Sequence, residues 1–145
     1  GVWLVARWVG YLERCKAPLS PVLRSLLMTD MSQLCRWALC RESNSLRRAA
    51  RAGALDKVQA VGHWRESDVF SDEECAALAY AEAVSATPPQ VDDVVKAQLK
   101  YHFTDDAITE MTALIAFQNL SARFNAALDI PAQGLCATFK EKPHA

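Results

Sequence analysis

Residues 71–89 have the sequence SDEECAALAYAEAVSATPP, and this stretch decides the fold class. Ser71 and Glu74 form a capping box, in which each side chain accepts a hydrogen bond from the other residue's backbone N–H at a helix N-terminus. The alanine-rich run that follows favours a helix through Ala86. Thr87 and the two prolines after it end the helix. The stretch therefore predicts one complete helix with a defined beginning and end.

Similar helix signals occur on both sides of this stretch. The segments concerned are Val2–Arg14, the run from Pro21 to about Met31, Ala38–Ala52, Leu55–Val61, Val91–Tyr101 and Asp105 to about Leu128. Ser20 and Thr104 are suitable N-caps and Gly53 a suitable C-cap. Strand signals are nearly absent, since the chain has neither an alternating β-branched run nor an Asn-Gly or Asp-Gly hairpin. We expect an all-α bundle of about six or seven helices in a single domain, residues 1–145.

Composition restricts the class of function. The 145 residues include 16 basic and 17 acidic side chains, so no net field attracts nucleic acid or an anionic membrane. No apolar run approaches the ~20 residues of a membrane span. The five cysteines are an odd number in a chain large enough to fold without disulfides, which favours a reducing cytoplasm. The cysteines and histidines lack metal-ligand spacing, and we expect neither a metal nor a cofactor.

The predicted helix over residues 38–52 carries the residues most suited to chemistry. Cys40, Asn44, Arg47 and Arg51 follow one another at spacings of four, three and four and form one stripe along the helix. Cys40 lies in the first turn, where free backbone N–H groups favour a thiolate. The alternative is a half-buried cysteine beside a solvated basic face, because most free cysteines are small structural hydrophobes.

Two further residues are weaker candidates. Cys35 could be a second thiol for Cys40, but two residues at that spacing in one regular helix have Cα atoms ~8 Å apart, beyond disulfide reach. A bond requires non-helical backbone near Arg36 and Trp37. His63 could act as an acid–base group, although a surface or capping role fits it better.

The order of segments resembles the alkylhydroperoxidase D/carboxymuconolactone decarboxylase superfamily from about Leu19 to Gly134. Outside this region we expect an N-terminal helix within residues 1–18 and a loose tail at residues 135–145. The segments that carry the resemblance are residues 19–24, 31–34, 40–45, 52–53, 64–67, 77–83, 114–119 and 123–125. The resemblance implies an all-α fold that assembles as a homotrimer or hexamer.

Redox members of this superfamily have a glutamate, then Cys-x-x-Cys, then a histidine four residues after the second cysteine. Only the second cysteine is retained here, as Cys40. Trp37, Asn44 and Ser25 stand at the other three positions. The resemblance implies a thiol-based, peroxidase-like oxidoreductase with a degenerate site, in which Asn44 hydrogen-bonds to the nucleophile Cys40. An external thiol would then reduce the oxidised cysteine.

Substrate-binding residues and two other functions follow from the same resemblance. Trp37, Arg47 and Arg51 are the expected contacts to a small-molecule substrate, and Arg47 would also lower the pKa of Cys40. A decarboxylase acting on a small lactone acid needs no dithiol, and there Arg47 or Arg51 would hold the carboxylate and His63 would be the base. The other alternative is an inactive ligand-binding or assembly member.

Overall fold

A computed structural model of the protein describes Arg7, Gly10, Tyr11 and residues 18–34 and 53–129. These residues form five α-helices and no strand. The helices are α1 (Pro21–Leu34), α2 (Leu55–Ala60), α3 (Asp72–Ser85), α4 (Asp93–His102) and α5 (Asp105–Ala127), and a 3₁₀ helix, Val61–Glu66, follows α2 directly. The described residues of the first predicted segment, 7, 10 and 11, are also helical. The all-α class is thus confirmed for this part of the chain. The total helix count, the single domain and the oligomer stay predictions.

The helix ends follow the predicted caps. The backbone N–H of Leu23 donates to Ser20 Oγ at 3.1 Å, and that of Ala107 donates to Thr104 Oγ1 at 3.2 Å. Both halves of the Ser71–Glu74 capping box are present, at 3.2 and 2.9 Å. Each cap satisfies an N–H group that the helix itself leaves free. Local sequence therefore sets where α1, α3 and α5 begin.

One predicted boundary was wrong. α4 begins at Asp93, two residues after the expected start, because the side chain of Asp92 accepts the N–H of Val95 at 2.8 Å and makes Asp92 the N-cap. The short helix expected at about Leu55–Val61 is present as α2. The 3₁₀ helix that follows it was not predicted, and within it His63 leaves helical geometry (φ −129°).

The core is built around α1, which is buried on nearly all sides. It packs against α2, α3, α5 and the 3₁₀ helix. Its apolar residues Leu23, Leu26, Leu27 and Met31 are at most 3% exposed. The buried residues they join on the other elements are Val58, Val61, Trp64, Ala77, Leu78, Ala81, Met111, Leu114 and Ile115. A helix surrounded in this way must also bury its polar side chains, and this property creates the site described below.

Among the described helices, none combines the length and hydropathy that a membrane crossing requires.

Candidate functional site

Asp30, near the C-terminal end of α1, is the most unusual polar residue of the described region. It is 3% exposed, and its Oδ2 atom is buried without a hydrogen-bond partner. The neighbouring buried hydroxyls of α1 donate instead to backbone carbonyls of the same helix: Ser25 to Pro21 at 2.9 Å, Thr29 to Ser25 at 2.9 Å and Ser32 to Thr29 at 2.7 Å. Buried polar groups are nearly always hydrogen-bonded, so an unpartnered carboxyl oxygen indicates a site.

Three residues from other elements form a connected polar cluster, and two of them, Glu82 and Arg65, act on Asp30 through their charges. Glu82 of α3 accepts a hydrogen bond from Trp64 Nε1 at 2.9 Å through Oε1. Its other oxygen, Oε2, pairs with Arg65 Nη2 at 2.5 Å. The Arg65 guanidinium also lies over the indole ring of Trp64, 4.2 Å from the ring centroid. Glu82 is thereby fixed at both oxygens, with 24% of its side chain exposed. We call Asp30, Trp64, Arg65 and Glu82 the acid cluster.

The 3₁₀ helix supplies two members of this cluster and packs directly against α1. At Gly62 a Cβ atom would come within 2.5 Å of Oε1 of Gln33, the flexible end of a side chain on α1, so glycine leaves room for that side chain. Trp64 and Arg65, which follow, both contact Glu82.

The charges of the acid cluster decide the protonation of Asp30. Burial is the largest influence and, together with repulsion from Glu82 and despite attraction to Arg65, raises the pKa of Asp30 to about 7. The hydrogen bond to Glu82 raises the pKa of Arg65, which stays charged. The cluster thus contains an Arg65–Glu82 ion pair and a second carboxyl that exchanges its proton near neutral pH. Such a group is suited to general acid–base chemistry.

The surface also has an open groove between α3 and α4, with a volume of about 720 Å³. Its lining is mostly apolar and includes Trp64, Cys75, Val94 and His102. Burial, with repulsion from nearby acidic groups, raises the pKa of the Cys75 thiol, which makes the thiolate scarce at neutral pH. The groove therefore lacks an activated nucleophile among its described residues.

Most of the site residues expected from the sequence lie outside the described residues: Cys35, Trp37, Cys40, Asn44, Arg47 and Arg51. Their roles stay predictions, as does the feasibility of a Cys35–Cys40 disulfide. His63 is described and exposed. Ser25, at the position of the superfamily's glutamate, is 1% exposed, and its hydroxyl donates to the Pro21 carbonyl.

Sequence reasoning missed the acid cluster. Nothing local in the sequence pairs Glu82 with Trp64, 18 residues away, or with Arg65. Asp30 gave no local signal, because it stands among other polar residues of α1 such as Thr29 and Ser32. Within the described ranges, no group of three or more His, Cys, Asp and Glu side chains is arranged to hold a metal.

Comparison with known proteins gives the chain a family. It is 54% identical over 134 residues to the uncharacterized protein YnjA of Escherichia coli (strain K12), covering 92% of this chain and 74% of that protein. Among solved structures it resembles the debrominase Bmp8, in a cysteine-to-alanine variant bound to 2,3,4-tribromopyrrole. That match has a TM-score of 0.78 and 26% identity, over 92% of this chain and 72% of Bmp8.

A protein of unknown function from Agrobacterium tumefaciens, a candidate AhpD antioxidant defence protein, matches with a TM-score of 0.80 and 21% identity over 90% of this chain and 88% of that one. The chain belongs to the same family as YnjA, and its fold is that of the alkylhydroperoxidase D/carboxymuconolactone decarboxylase superfamily. No protein-family model matches the sequence. The shared fold confirms the resemblance found in the order of sequence segments. Within this fold, the described helices place the acid cluster between α1, α3 and the 3₁₀ helix.

Proposed function

We propose that the protein is a thiol-based, peroxidase-like oxidoreductase in which Cys40 is the nucleophile. The observation that carries this proposal is the AhpD-like fold combined with a cysteine retained at the second position of the redox motif. In this proposal Arg47 lowers the pKa of the Cys40 thiol and Asn44 hydrogen-bonds to it. Trp37 and Ser25 replace residues that would resolve or protonate the intermediate, so the mechanism uses one cysteine.

The one-cysteine mechanism balances with an external thiol as reductant. The Cys40 thiolate attacks the terminal oxygen of a hydroperoxide; an S–O bond forms, the O–O bond breaks, and the leaving alkoxide takes a proton to give an alcohol. The resulting sulfenic acid is attacked by one thiol, which forms a mixed disulfide and releases water. A second thiol regenerates Cys40 and leaves as the oxidised disulfide. The net reaction converts one hydroperoxide and two thiols into an alcohol, water and a disulfide.

A second candidate function is reductive removal of bromine from a small aromatic ring. The observation that favours it is the similarity to the debrominase Bmp8, at 26% identity over most of this chain. This reaction needs the same two groups, a thiolate and a proton donor. The donor protonates the ring carbon, and the thiolate takes the bromine to form an S–Br bond. A second thiol then attacks that sulfur, bromide leaves, and a disulfide forms. Both candidates therefore require a nucleophilic thiol and a proton donor.

Turnover measurements with matched cysteine variants test the proposal. The protein is incubated with dithiothreitol and either cumene hydroperoxide or 2,3,4-tribromopyrrole, and loss of hydroperoxide or release of bromide is followed. Cys40→Ser should lower turnover at least 100-fold, because a hydroxyl is a far weaker nucleophile than a thiolate. Cys75→Ser is the control, since burial already disfavours its thiolate, and should stay within twofold of wild type.

Dimedone trapping followed by peptide mass spectrometry identifies the oxidised residue. After one equivalent of hydroperoxide, the adduct should be on Cys40 rather than Cys75. Turnover that survives Cys40→Ser would contradict the thiol mechanism. Consumption of a lactone acid by that variant would instead support the decarboxylase alternative.

A further inference from the structure

Small side chains on α3 create the groove between α3 and α4. The described residues that α3 contributes to its lining are Asp72, Cys75, Ala76 and Ala79. The last three are small, and they leave room beside α4 for the volume of about 720 Å³. A concave site of this size accommodates a small organic molecule.

The groove has two chemically different ends. At one end Asp72, in the first turn of α3, lies near the last turn of α4, because the next residue, Glu73, lines a smaller pocket together with His102. At the other end is Trp64, whose Nε1 donates to Glu82 near the C-terminal end of α3. At about 1.5 Å per residue, α3 rises roughly 15 Å between Asp72 and Glu82. The groove therefore suits an extended molecule with two different ends.

The charge of the groove favours a cation at the Asp72 end. Asp72 is the one acidic residue among the described lining residues, which include no lysine or arginine. It has no ion-pair partner in the described part of the chain, whereas Glu74, two residues further on, pairs with Lys57 at 2.6 Å. Burial, followed by repulsion from Asp72 and Glu74, raises the pKa of the Cys75 thiol, which lines the same groove. A ligand that complements this lining carries a positive charge.

Aromatic and aliphatic surface is available along the rest of the groove. The side chain of Tyr101 is 84% exposed and that of Val94 69%, so both can be covered by a ligand. Trp64 gives its indole N–H to Glu82 and therefore presents carbon atoms to the groove. Cations bind over aromatic rings, as the Arg65 guanidinium does over Trp64 at 4.2 Å from the ring centroid. The open ring of Tyr101 can hold an organic cation in the same way.

We propose that the groove between α3 and α4 binds a small amphipathic organic amine. Its ammonium group pairs with Asp72 at the Tyr101 end, and its apolar body lies over the small residues of α3 and extends toward Trp64. The amine is bound without chemical change, because the Cys75 thiol stays protonated. This binding site goes beyond the proposed thiol reaction and does not depend on it.

Calorimetric titration with three ligands that share a phenylbutyl group tests the charge preference. The ligands are the cation 4-phenylbutylamine, the neutral 4-phenylbutanol and the anion 5-phenylpentanoate. We expect the amine to bind with a Kd of about 1 mM or lower and at least fivefold more tightly than the alcohol, and the anion not to bind. Raising the salt concentration should weaken binding of the amine and leave binding of the alcohol unchanged.

Matched variants locate the bound amine. Asp72→Asn should weaken amine binding at least fivefold and leave alcohol binding within twofold, because only the ion pair is lost. Tyr101→Ala removes an exposed ring and should weaken amine binding at least threefold. Asp93→Asn is the control, since Asp93 is the first residue of α4 as Asp72 is of α3, is exposed and does not line the groove. It should bind the amine within twofold of wild type.

Three results would overturn this proposal. Equal affinities for the amine and the alcohol would mean that the groove has no preference for a cation. Amine binding that survives both Asp72→Asn and Tyr101→Ala would place the ligand elsewhere on the protein. Absence of saturable amine binding to wild-type protein that is folded by circular dichroism would mean that the groove is closed to ligands, for example by a second copy of the chain. Each result leaves the proposed thiol function standing, because that function is tested by turnover.

Discussion

Replacing Asp30 with asparagine should change how the stability of the folded protein depends on pH. Burial raises the pKa of Asp30 from 3.8 to about 7. Below pH 3.8 the folded and unfolded chains both hold the proton. Between the two values the unfolded chain releases it while the folded chain keeps it, so the folded state loses stability as pH rises. Above about pH 7 the carboxyl is ionised in both states, and the folded state carries the full free-energy cost of the buried charge.

The magnitude follows from the difference between the two pKa values. About three pH units, at about 1.4 kcal/mol each, correspond to roughly 4 kcal/mol of lost stability in the wild type between pH 4 and 8. Asparagine has no proton to exchange, so its unfolding free energy lacks this contribution. The quantity to measure is the unfolding free energy of Asp30→Asn minus that of wild type, which should rise by roughly 4 kcal/mol over this range. The asparagine amide can also alter stability by an amount that does not depend on pH. That amount is the same at every pH, so it does not contribute to the rise in the difference.

Urea unfolding followed by circular dichroism, at one protein concentration and several pH values, measures this difference. Asp68→Asn is the matched control, since the same chemical change at an exposed turn should leave the difference from wild type flat. A difference for Asp30→Asn that stays constant within extrapolation error would refute the reasoning. That result would mean that Asp30 ionises in the folded state as easily as in the unfolded chain.

Three other substitutions test the packing and the caps by the same unfolding measurement. Trp64→Phe removes the donor to Glu82 and should cost roughly 2 kcal/mol; an unchanged stability would mean that water replaces the indole. Ser71→Ala breaks the capping box of α3 and should cost about 1 kcal/mol; a cost near zero would show that the box adds little. Leu26→Ala leaves a cavity at a fully buried position and should cost roughly 2–5 kcal/mol, whereas Leu128→Ala, at a side chain 58% exposed, should cost far less.

The parts of the fold that could be predicted from sequence are those set by neighbouring residues. Ser71 and Glu74 are three residues apart, so their reciprocal hydrogen bonds are visible in the sequence itself. The predicted start of α4 was wrong for an equally local reason. Val91 began the apolar pattern, but Asp92 caps the helix and so places its first turn after the apolar residue that suggested it.

The site could not be predicted in the same way because its contacts are long-range. Trp64 and Glu82 are 18 residues apart, and their hydrogen bond depends on how the 3₁₀ helix packs against the rest of the core. Asp30 stands between Thr29 and Met31 and looks locally like an ordinary polar residue of a helix. Its burial depends on α3, α5 and the 3₁₀ helix all packing around α1, which no pattern within α1 specifies.

The positions of Ser25 and Asp30 on α1 also limit how the superfamily's redox chemistry could be restored. Five residues of α-helix correspond to an advance of about 7.5 Å and a rotation of about 140° beyond one full turn. The two side chains therefore leave the helix on different faces, and an acid at Asp30 does not stand in for a glutamate at Ser25. Asn44→His alone would restore a base without the carboxyl that accompanies it in redox members. Restoring the relay of redox members therefore requires a carboxyl at Ser25 and a histidine at Asn44 together.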